Sequence, residues 1–434
     1  MDAAAADDPH AVDASVGGVY GRTEPPSAAV VRQVPNVQIG VNTVVAPPGS
    51  GKLFILNQSA ARLWQECARR PGENPENALI DCLVSIYGMS DARARAETTQ
   101  LLQHWRLAGL ICASRGGSQS SPDFDWVLPC PPSTCHRSGD WVLELAGHMI
   151  ALQIEDSALR NKIEPYVAGL RNSDALCHSH DLLLRGCHDD WVLEFNNQAW
   201  MRGASLDEAV TAVIGAAIDL ACRSEDRLLV VHGAGLALDD SRGVLLIAAG
   251  GSGKTTLAAA LNVEGLALLS DDVVPIDLEG KLLALRAPIC AKSGSWEVLS
   301  PLRPDINALP VLSRFGQPVR LLPPVGPPPA PRLSLELMLF PTYRPGSAPS
   351  CRPLSAESAL QKIVESESVI RNITQQKLES IVRIISTAPA YALSYPDLAS
   401  GLQLARAAIA SLPQAGVASP QATLPRASPV RKSR

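Results

Sequence analysis

Ala249-Gly250-Gly251-Ser252-Gly253-Lys254-Thr255-Thr256 is the stretch that decides how this chain of 434 residues folds. It follows the apolar run from Val244 to Ile247 and precedes a helix-prone run from Leu257 to Leu261. A strand, a glycine-rich loop and a helix form the context in which Gly-Lys-Thr binds phosphate. Glycine lets backbone N–H groups come close to phosphate oxygens, and the helix N-terminus adds partial positive charge. We therefore expect this stretch to bind a nucleotide.

Two residues of the loop have separate expected roles in binding the nucleotide and its metal ion. Lys254 is predicted to reach the β- and γ-phosphates of ATP, and the Thr255 hydroxyl to contact Mg²⁺. The usual first glycine of such a loop is replaced by Ala248, which fits only if its φ angle is negative. A glycine-rich turn that binds no ligand remains the alternative.

A second element with acidic residues follows shortly after the loop. The apolar run from Leu266 to Leu269 leads through Ser270 into Asp271 and Asp272. An apolar strand that ends in acids is where enzymes with a phosphate loop hold Mg²⁺ and prepare their nucleophile. We predict Asp271 as a metal ligand together with Thr255, and one of the two acids as the general base. The sequence leaves open which acid is the base, and two solvated acids at a strand end are the alternative.

Three further basic residues are candidates for the same site. His232 follows the predicted strand from Leu228 to Val231 and precedes Gly233-Ala234-Gly235, which predicts a flexible turn. Such a histidine either carries protons or is a hydrogen-bonded strand end. Lys292 and Arg344 lie in turn-rich segments, where each contacts phosphate or is simply solvated.

The histidines and cysteines near residue 180 do not predict a zinc site. Their spacing does not match a paired ligand signature, so they indicate a loop. This group consists of Cys177, His178, His180, Cys187 and His188. We therefore expect no metal other than Mg²⁺.

The composition restricts the setting. A net charge of −5 argues against a nucleic-acid partner or an anionic membrane. The acidic start from Met1 to Asp8 lacks the pattern of a signal peptide, and no run reaches the ~18 apolar residues of a membrane span. The segment from Ala209 to Cys222 carries Asp219 and predicts a core helix. Ten scattered cysteines are typical of reduced thiols, which predicts a cytoplasmic protein.

The domain organisation follows from composition and periodicity. Residues 1–30 and 413–434 predict disorder, 116–124 a linker, 31–115 a small module, and 125–412 a larger domain. Apolar residues at helical spacing predict three short helices in the module, preceded by the capping residues Asn57, Asn74 and Ser90. Strands are predicted at 141–145, 149–154 and 191–195. The proline-rich stretch from Pro318 to Pro331 predicts an exposed loop.

The larger domain resembles the HPr kinase/phosphorylase superfamily. His232-Gly233-Ala234-Gly235, the loop ending at Thr255, and Ser270-Asp271-Asp272 occur in the order and approximate spacing of that superfamily. The resemblance is strongest over residues 228–280, and the Asn-Pro-Gly-Arg signature of the true HPr kinase/phosphorylases is absent. The segment is therefore most similar to the HPr-kinase-related branch. The resemblance implies a P-loop kinase domain related to phosphoenolpyruvate carboxykinase that phosphorylates serine, with His232, Asp271 and Asp272 in its active site.

The N-terminal module resembles PqqD-like domains, which recognise precursor peptides in ribosomal peptide modification. The resemblance rests on the segments from Leu53 to Trp64 and from Trp105 to Ile111. It implies a winged-helix-like fold in which a peptide leader adds as a strand at a sheet edge. A DNA-binding winged helix is the alternative; the acidic chain argues against it, although Arg93 and Arg95 lie on the third helix.

Together these features predict an α/β protein in which a PqqD-like module precedes a P-loop kinase domain. The expected function is ATP- and Mg²⁺-dependent phosphorylation of a serine in a ribosomally made precursor peptide, whose leader binds residues 31–112. Two alternatives remain open. One is a regulatory serine kinase of an HPr-like carrier protein, and the other is a peptide chaperone without kinase activity, whose conformation nucleotide binding switches. Neither nucleic acid nor a membrane is an expected partner, and the sequence does not specify whether the chain forms a homo-oligomer.

Overall fold

A computed structural model of the chain describes residues 29–31, 34–47, 51–70, 73–107, 109–113, 134–135, 141–175, 177–187 and 190–413. The predicted linker, His188 and almost all of the predicted disordered ends lie outside these residues. The chain divides into two compact units: residues 1–32 with 64–119, and residues 33–63 with 120–434. This division differs from the domain boundaries that composition predicts, because residues 33–63 belong to the second unit.

Eight elements lie among the described residues up to Ala113. In chain order they are β1 (Ala29–Val31), β2 (Asn36–Ile39), β3 (Asn42–Val45), β4 (Phe54–Leu56), α1 (Gln58–Ala68), α2 (Pro75–Ser85), α3 (Asp91–Leu107) and β5 (Ile111–Ala113). The three predicted helices are present. The side chain of Asn57 accepts a hydrogen bond from the N–H of Ala60, and the side chain of Asn74 accepts one from the N–H of Glu76. These caps satisfy N–H groups that have no partner inside the helix.

The remaining elements all belong to the second unit. They are β6 (Thr134–Cys135), β7 (Trp141–Leu145), β8 (His148–Ile154), α4 (Ser157–Val167), β9 (Cys177–His178), β10 (His180–Cys187), β11 (Asp190–Phe195), β12 (Gln198–Gly203), α5 (Leu206–Cys222), β13 (Arg227–Ala237), β14 (Arg242–Ile247), α6 (Lys254–Val263), β15 (Ala267–Ser270), β16 (Val273–Asp277), β17 (Lys281–Leu283), β18 (Ile289–Lys292), α7 (Ser293–Leu299), β19 (Leu312–Arg314), β20 (Gln317–Leu322), β21 (Arg332–Tyr343), β22 (Ser350–Pro353), α8 (Ala356–Glu365), α9 (Gln375–Thr387), β23 (Ala390–Tyr395) and α10 (Leu398–Ala410). The predicted core helix and the three predicted strands near 141, 149 and 191 are among them.

Two larger sheets organise the second unit. A five-stranded sheet has the order β12-β11-β10-β8-β7, and α5 packs into the core beside it. An eight-stranded sheet has the order β14-β13-β16-β17-β21-β23-β22, with β15 paired to β13. Because β14 also pairs with β21, part of this sheet closes on itself. A smaller sheet, β18-β20-β19, completes the surroundings of the site described below.

Strands β2, β3 and β4 form a three-stranded sheet that packs into the second unit. Ile39 and Val44 are buried in the same apolar core as Ile381 of α9. The backbone N–H of Asn36 donates to Oε1 of Gln375, and Nε2 of Gln375 donates to the carbonyl of Asn36. The side chain of Gln375 therefore occupies the edge of β2 at Asn36.

Three local predictions are wrong. Gly233-Ala234-Gly235 is not a turn but the middle of β13, and a Cβ at Gly233 would lie 2.6 Å from the carbonyl oxygen of Leu246. Glycine is therefore needed there because β13 and β14 approach each other closely, and not because the chain bends. The segment 177–187 is not a loop, because it forms β9 and β10, which are separated by a single residue.

The proline-rich stretch begins as a strand instead of a loop. Residues 318–322 belong to β20, the middle strand of its sheet. Pro318 pairs with Ser313 of β19, whereas pairing with β18 extends only as far as Val319. Pro318 therefore lies beyond the end of β18, where the missing N–H removes no bond to that strand.

Candidate functional site

The glycine-rich loop joins the end of β14 to the start of α6, as the sequence predicts. Gly251 has a φ angle of +79° and Gly253 one of +89°, in the region that glycine enters without strain. Ala248 is not among the residues with positive φ, so an alanine is accommodated there. The observed backbone thus explains which positions of the loop require glycine.

Two tyrosines, Tyr343 and Tyr395, lie next to the glycine-rich loop. A Cβ at Gly253 would lie 3.0 Å from the hydroxyl of Tyr395 and 3.2 Å from Cβ of Tyr343. The N–H of Tyr343 donates to the carbonyl of Ser252 over 3.0 Å. The hydroxyls of Ser252 and Tyr395 are buried, and neither has a hydrogen-bond partner among the described residues. Buried hydroxyls without a partner are costly, so this loop is suited to a polar ligand that would bind them.

Asp271 is buried directly beside the start of α6. The Thr255 hydroxyl donates to Oδ1 of Asp271 over 3.1 Å, and the N–H of Cys290 donates to Oδ2 over 3.2 Å. Burial and the neighbouring Asp272 raise the pKa of Asp271 to about 6, although these two hydrogen bonds act in the opposite direction. A buried carboxyl and a hydroxyl thus lie side by side at the loop.

Asp272 faces different partners and has an unusual backbone. Nη2 of Arg314 donates to its Oδ2 over 2.7 Å, and Nε2 of His232 lies 3.8 Å from its Oδ1. Burial raises the pKa of Asp272, but Arg314, followed by His232 and Lys254, outweighs burial and lowers it. Its φ angle is +77°, a conformation that costs a non-glycine residue roughly 1–3 kcal/mol. Strain of this kind is concentrated at functional sites.

The positive charge of the site comes from Lys254 and its neighbours. Lys254 is only 6% exposed, and burial, with a contribution from Lys292, lowers its pKa while Asp271 and Asp272 oppose that shift. Burial and the charge of Lys254 also lower the pKa of His232. The buried ammonium group of Lys254 thus experiences the charges of two carboxylates, Asp271 and Asp272, and of a second cation, Lys292.

All of these groups open into one cavity of about 630 Å³. Its size lies within the ~300–1,000 Å³ that is typical of small-molecule sites. The predicted loop residues, the acid pair and His232 all line it, namely His232, Gly250, Gly251, Ser252, Gly253, Lys254, Thr255, Thr256, Asp271 and Asp272. Lys292 lines it as well, whereas Arg344 does not and its neighbour Tyr343 does.

Other residues of the cavity carry no signal in the sequence. Arg314 is a single arginine in a short hairpin, 42 residues from the carboxylate that it binds. Cys290, Tyr395 and Asp397 also line the cavity, and each is distant in sequence from the glycine-rich loop. Only a three-dimensional arrangement brings them to the site, so no local motif could have identified them.

The donor set fits Mg²⁺ with a phosphate ligand better than a transition metal. Among the residues that the structure describes, no three His, Cys, Asp or Glu side chains are grouped to hold a metal. Thr255 and Asp271 instead offer hard oxygen atoms, and Mg²⁺ in proteins usually takes one or two carboxylates and completes its shell with water and substrate phosphates.

The structure defines a mixed α/β protein that carries a polar site around a glycine-rich loop. Residues 42–111 match the family model described as Coenzyme PQQ synthesis protein D (PqqD). The chain therefore contains a PqqD-like domain, which supports a role in recognising precursor peptides for modification. A search of the curated proteins found no match. Over the described part of the chain, no helix has both the length and the apolar character needed to cross a bilayer.

Proposed function

We propose that this protein is an ATP- and Mg²⁺-dependent kinase that phosphorylates a serine of a ribosomally made precursor peptide. The observation that carries the proposal is the shared cavity: the glycine-rich loop, the contact between Thr255 and Asp271, and Asp272 with its own partners all line it. A loop that binds phosphate beside two carboxylates is the arrangement that phosphoryl transfer requires.

The residues of the loop would hold the nucleotide. Backbone N–H groups of the loop and the start of α6 favour phosphate oxygens, and the buried ammonium of Lys254 would neutralise charge on the β- and γ-phosphates. Thr255 and Asp271 would hold Mg²⁺, which supplies further neutralisation of the phosphate charge when bound. Burial around the site strengthens each of these interactions relative to water.

The transfer step requires a general base, and this role concerns Asp272, the acid that is not proposed to hold Mg²⁺. The serine Oγ forms a bond to the γ-phosphorus while the bond from that phosphorus to the β,γ-bridging oxygen breaks, and ADP leaves with the electron pair. The serine proton passes to a carboxylate. We assign this role to Asp272, because Asp271 already contacts Thr255 and the N–H of Cys290, whereas Asp272 faces His232 and Arg314. Arg314 holds the carboxylate in position.

The PqqD-like region would supply the peptide. Within the described residues, β4 pairs only with β3, while Gln375 occupies the edge of β2. We therefore assign the leader to the outer edge of β4, where backbone hydrogen bonds can extend the sheet. Holding the leader raises the effective concentration of the acceptor serine at the kinase site. Because β2, β3 and β4 pack within the second unit, leader affinity has to be measured on the full chain.

The direct test is phosphate transfer to a peptide. Full-length protein is incubated with ATP, Mg²⁺ and a serine-containing precursor peptide encoded beside its gene, and the peptide mass is then measured. We expect one added phosphate, which disappears with Lys254→Ala or Asp272→Asn protein and with a peptide whose acceptor serine is alanine. Asp240→Asn is the matched control, because Asp240 is an exposed acid in the turn before β14.

The outcomes separate the alternatives. Transfer to an HPr-like carrier protein but to no peptide would support a regulatory kinase. Nucleotide binding without phosphate transfer to any acceptor would support a peptide chaperone without kinase activity, whose conformation nucleotide binding switches. Wild-type behaviour of both site variants would contradict the kinase proposal in every form. A peptide without its leader is expected to be phosphorylated with a higher KM and an unchanged kcat.

A further inference from the structure

A second, smaller cavity borders the acid pair. It has a volume of about 240 Å³, and we call it the α5 cleft. Four residues line both this cleft and the larger cavity: Asp271, Asp272, Cys290 and Arg314. No residue of the glycine-rich loop lines the α5 cleft. The carboxylates therefore separate a space that has the phosphate-binding loop from a space that lacks it.

The lining of the α5 cleft combines apolar side chains with charged ones, since Asp219 and Arg371 line it in addition to the acid pair and Arg314. It includes Ile214 and Ile218 of α5, Val230 of β13, Leu321 of β20 and Val369. Its volume lies below the ~300 Å³ at which small-molecule sites begin. The cleft is therefore too small for a second nucleotide, and its surface suits one or two small residues of a peptide.

Gly215 keeps the cleft open. It lies in the interior of α5 and lines the cleft, and no heavy atom would lie within 4 Å of a Cβ added there. Glycine in a helix interior is destabilising relative to alanine, and no neighbouring atom excludes a side chain at this position. We therefore expect a larger residue at 215 to reduce the volume of the α5 cleft without a close contact at its Cβ.

α5 is also fixed to the hairpin that carries Arg314. The hydroxyl of Thr211 donates to the carbonyl of Ser313 over 2.7 Å, and Ser313 directly precedes Arg314. Arg314 in turn binds Asp272. The wall of the α5 cleft and the partner of the carboxylate are thus one connected structure, so a group in the cleft would lie in a fixed position relative to Asp272.

We propose that the α5 cleft is the acceptor site, which takes the serine to be phosphorylated together with a small apolar neighbour in the peptide. The serine would reach the acid pair from the side of α5, and the nucleotide from the side of the glycine-rich loop. This inference rests on the proposed function. It adds the direction of approach and a selection against large residues next to the acceptor serine.

The test fills the cleft without touching the loop. Gly215→Leu is compared with wild type and with Gly169→Leu, a matched control in which the glycine is exposed, lies outside both cavities, and also has no atom near its added Cβ. The substrates are the precursor peptide and a library of peptides with a central serine and varied neighbours. We expect Gly215→Leu to raise the KM for peptide by about tenfold or more. Affinity for an ATP analogue with Mg²⁺, measured by calorimetry, is expected to stay within about twofold.

Three results would overturn the inference. The first is an unchanged peptide KM with Gly215→Leu, and the second is a loss of nucleotide affinity, which would place nucleotide in the cleft. The third is a wild-type library profile with no selection next to serine. Gly215→Ala is expected to fold with an equal or higher Tm and to raise the peptide KM by a smaller factor than Gly215→Leu; it tests the cleft if the leucine variant is unstable, and an unchanged peptide KM in that case would also overturn the inference. Absence of phosphate transfer by wild type would contradict the proposed function itself, a distinct result.

Discussion

The second unit contains two clusters that each pair a histidine with an aspartate and that differ in their surroundings. The site cluster is His232, Lys254, Asp271, Asp272 and Arg314; the histidine cluster is His148, His178, His180 and Asp181. In both, a histidine lies near an aspartate: Nε2 of His232 lies 3.8 Å from Oδ1 of Asp272, and Nε2 of His178 lies 2.7 Å from Oδ1 of Asp181. A histidine close to an aspartate therefore does not by itself distinguish the two clusters.

Exposure to a cavity and backbone strain do distinguish them. The three histidines of the histidine cluster are buried, the rings of His148 and His180 stack with centroids 6.2 Å apart, and none of the three lines either cavity. The side chain of His232 is 30% exposed and lines the larger cavity, next to Asp272 with its positive φ angle. The comparison teaches that the site cluster is open to a ligand, while the histidine cluster is packed into the core.

The largest effect should come from the proposed general base. Asp272→Asn is expected to lower kcat for peptide phosphorylation by roughly 10²–10⁴-fold, because the amide cannot accept the serine proton. Asp181→Asn, the corresponding change in the histidine cluster, is expected to leave kcat unchanged. Steady-state kinetics of the two variants give the answer. Equal losses in both would remove the distinction between the clusters.

A smaller loss is expected when the partner of that carboxylate is changed. Arg314→Ala should reduce kcat by roughly tenfold to a hundredfold, since a hydrogen bond between charged groups contributes about 1.5–3 kcal/mol. Arg314→Lys should recover part of the loss, because it keeps the charge but not the geometry. The control is Arg185→Ala, which removes a half-exposed arginine that pairs with Glu155 and Glu194. An unchanged kcat for Arg314→Ala would show that Asp272 needs no positioning.

The histidine cluster should affect stability instead of catalysis. Burial, with His148 adding to it, lowers the pKa of His180 to about 4, while the unfolded chain has a pKa near 6.5. Between those values the unfolded state binds a proton that the folded state does not, so stability is full above pH ~6.5 and falls as the pH decreases towards 4. We expect roughly 1–2 kcal/mol of this loss to vanish in His180→Phe. Urea unfolding of the wild type and of His180→Phe between pH ~4 and ~6.5 measures this difference in the free energy of unfolding. If the free energy of unfolding falls equally with pH in both proteins, His180 is not the group responsible.

The smallest effect concerns Phe315, the residue that follows Arg314. Phe315 is 93% exposed, has a φ angle of +50°, and its ring centroid lies 5.5 Å from Cζ of Arg314. Phe315→Ala is expected to raise the peptide KM by about threefold through loss of an exposed aromatic contact, with Tm unchanged. Phe315→Tyr should behave as wild type. A drop in Tm without a change in KM would assign Phe315 to folding instead.

The parts of the fold that could be predicted depend on local patterns. β14, the glycine-rich loop and α6 follow each other within 22 residues. An apolar run, a glycine-rich run and a run of helix-forming residues predict them in that order. The caps at Asn57 and Asn74 are equally local. The wrong predictions at Gly233 and Pro318 arise because both residues usually mark turns. In this fold, close strand approach and the end of β18 override that preference.

The candidate site is predictable where its residues lie in or near a recognisable motif. Lys254, Thr255, Asp271 and Asp272 lie within 19 residues and were identified. Arg314 and Tyr395 reach the cavity through β19 and β23, and their contacts depend on the pairing of distant strands. Likewise, no sequence pattern indicates that α5 leaves an open space at Gly215, because an empty volume is a property of packing among several elements.

The most direct measurement of the central claim is transfer of label from ATP carrying a radiolabelled γ-phosphate to the precursor peptide. It is followed by mapping of the modified residue with tandem mass spectrometry. The account predicts that label appears on one serine of the peptide with wild-type protein and Mg²⁺, and that Asp272→Asn protein, while still binding nucleotide, transfers almost none. Label that remains on ATP or appears only as free phosphate in the presence of peptide would contradict it.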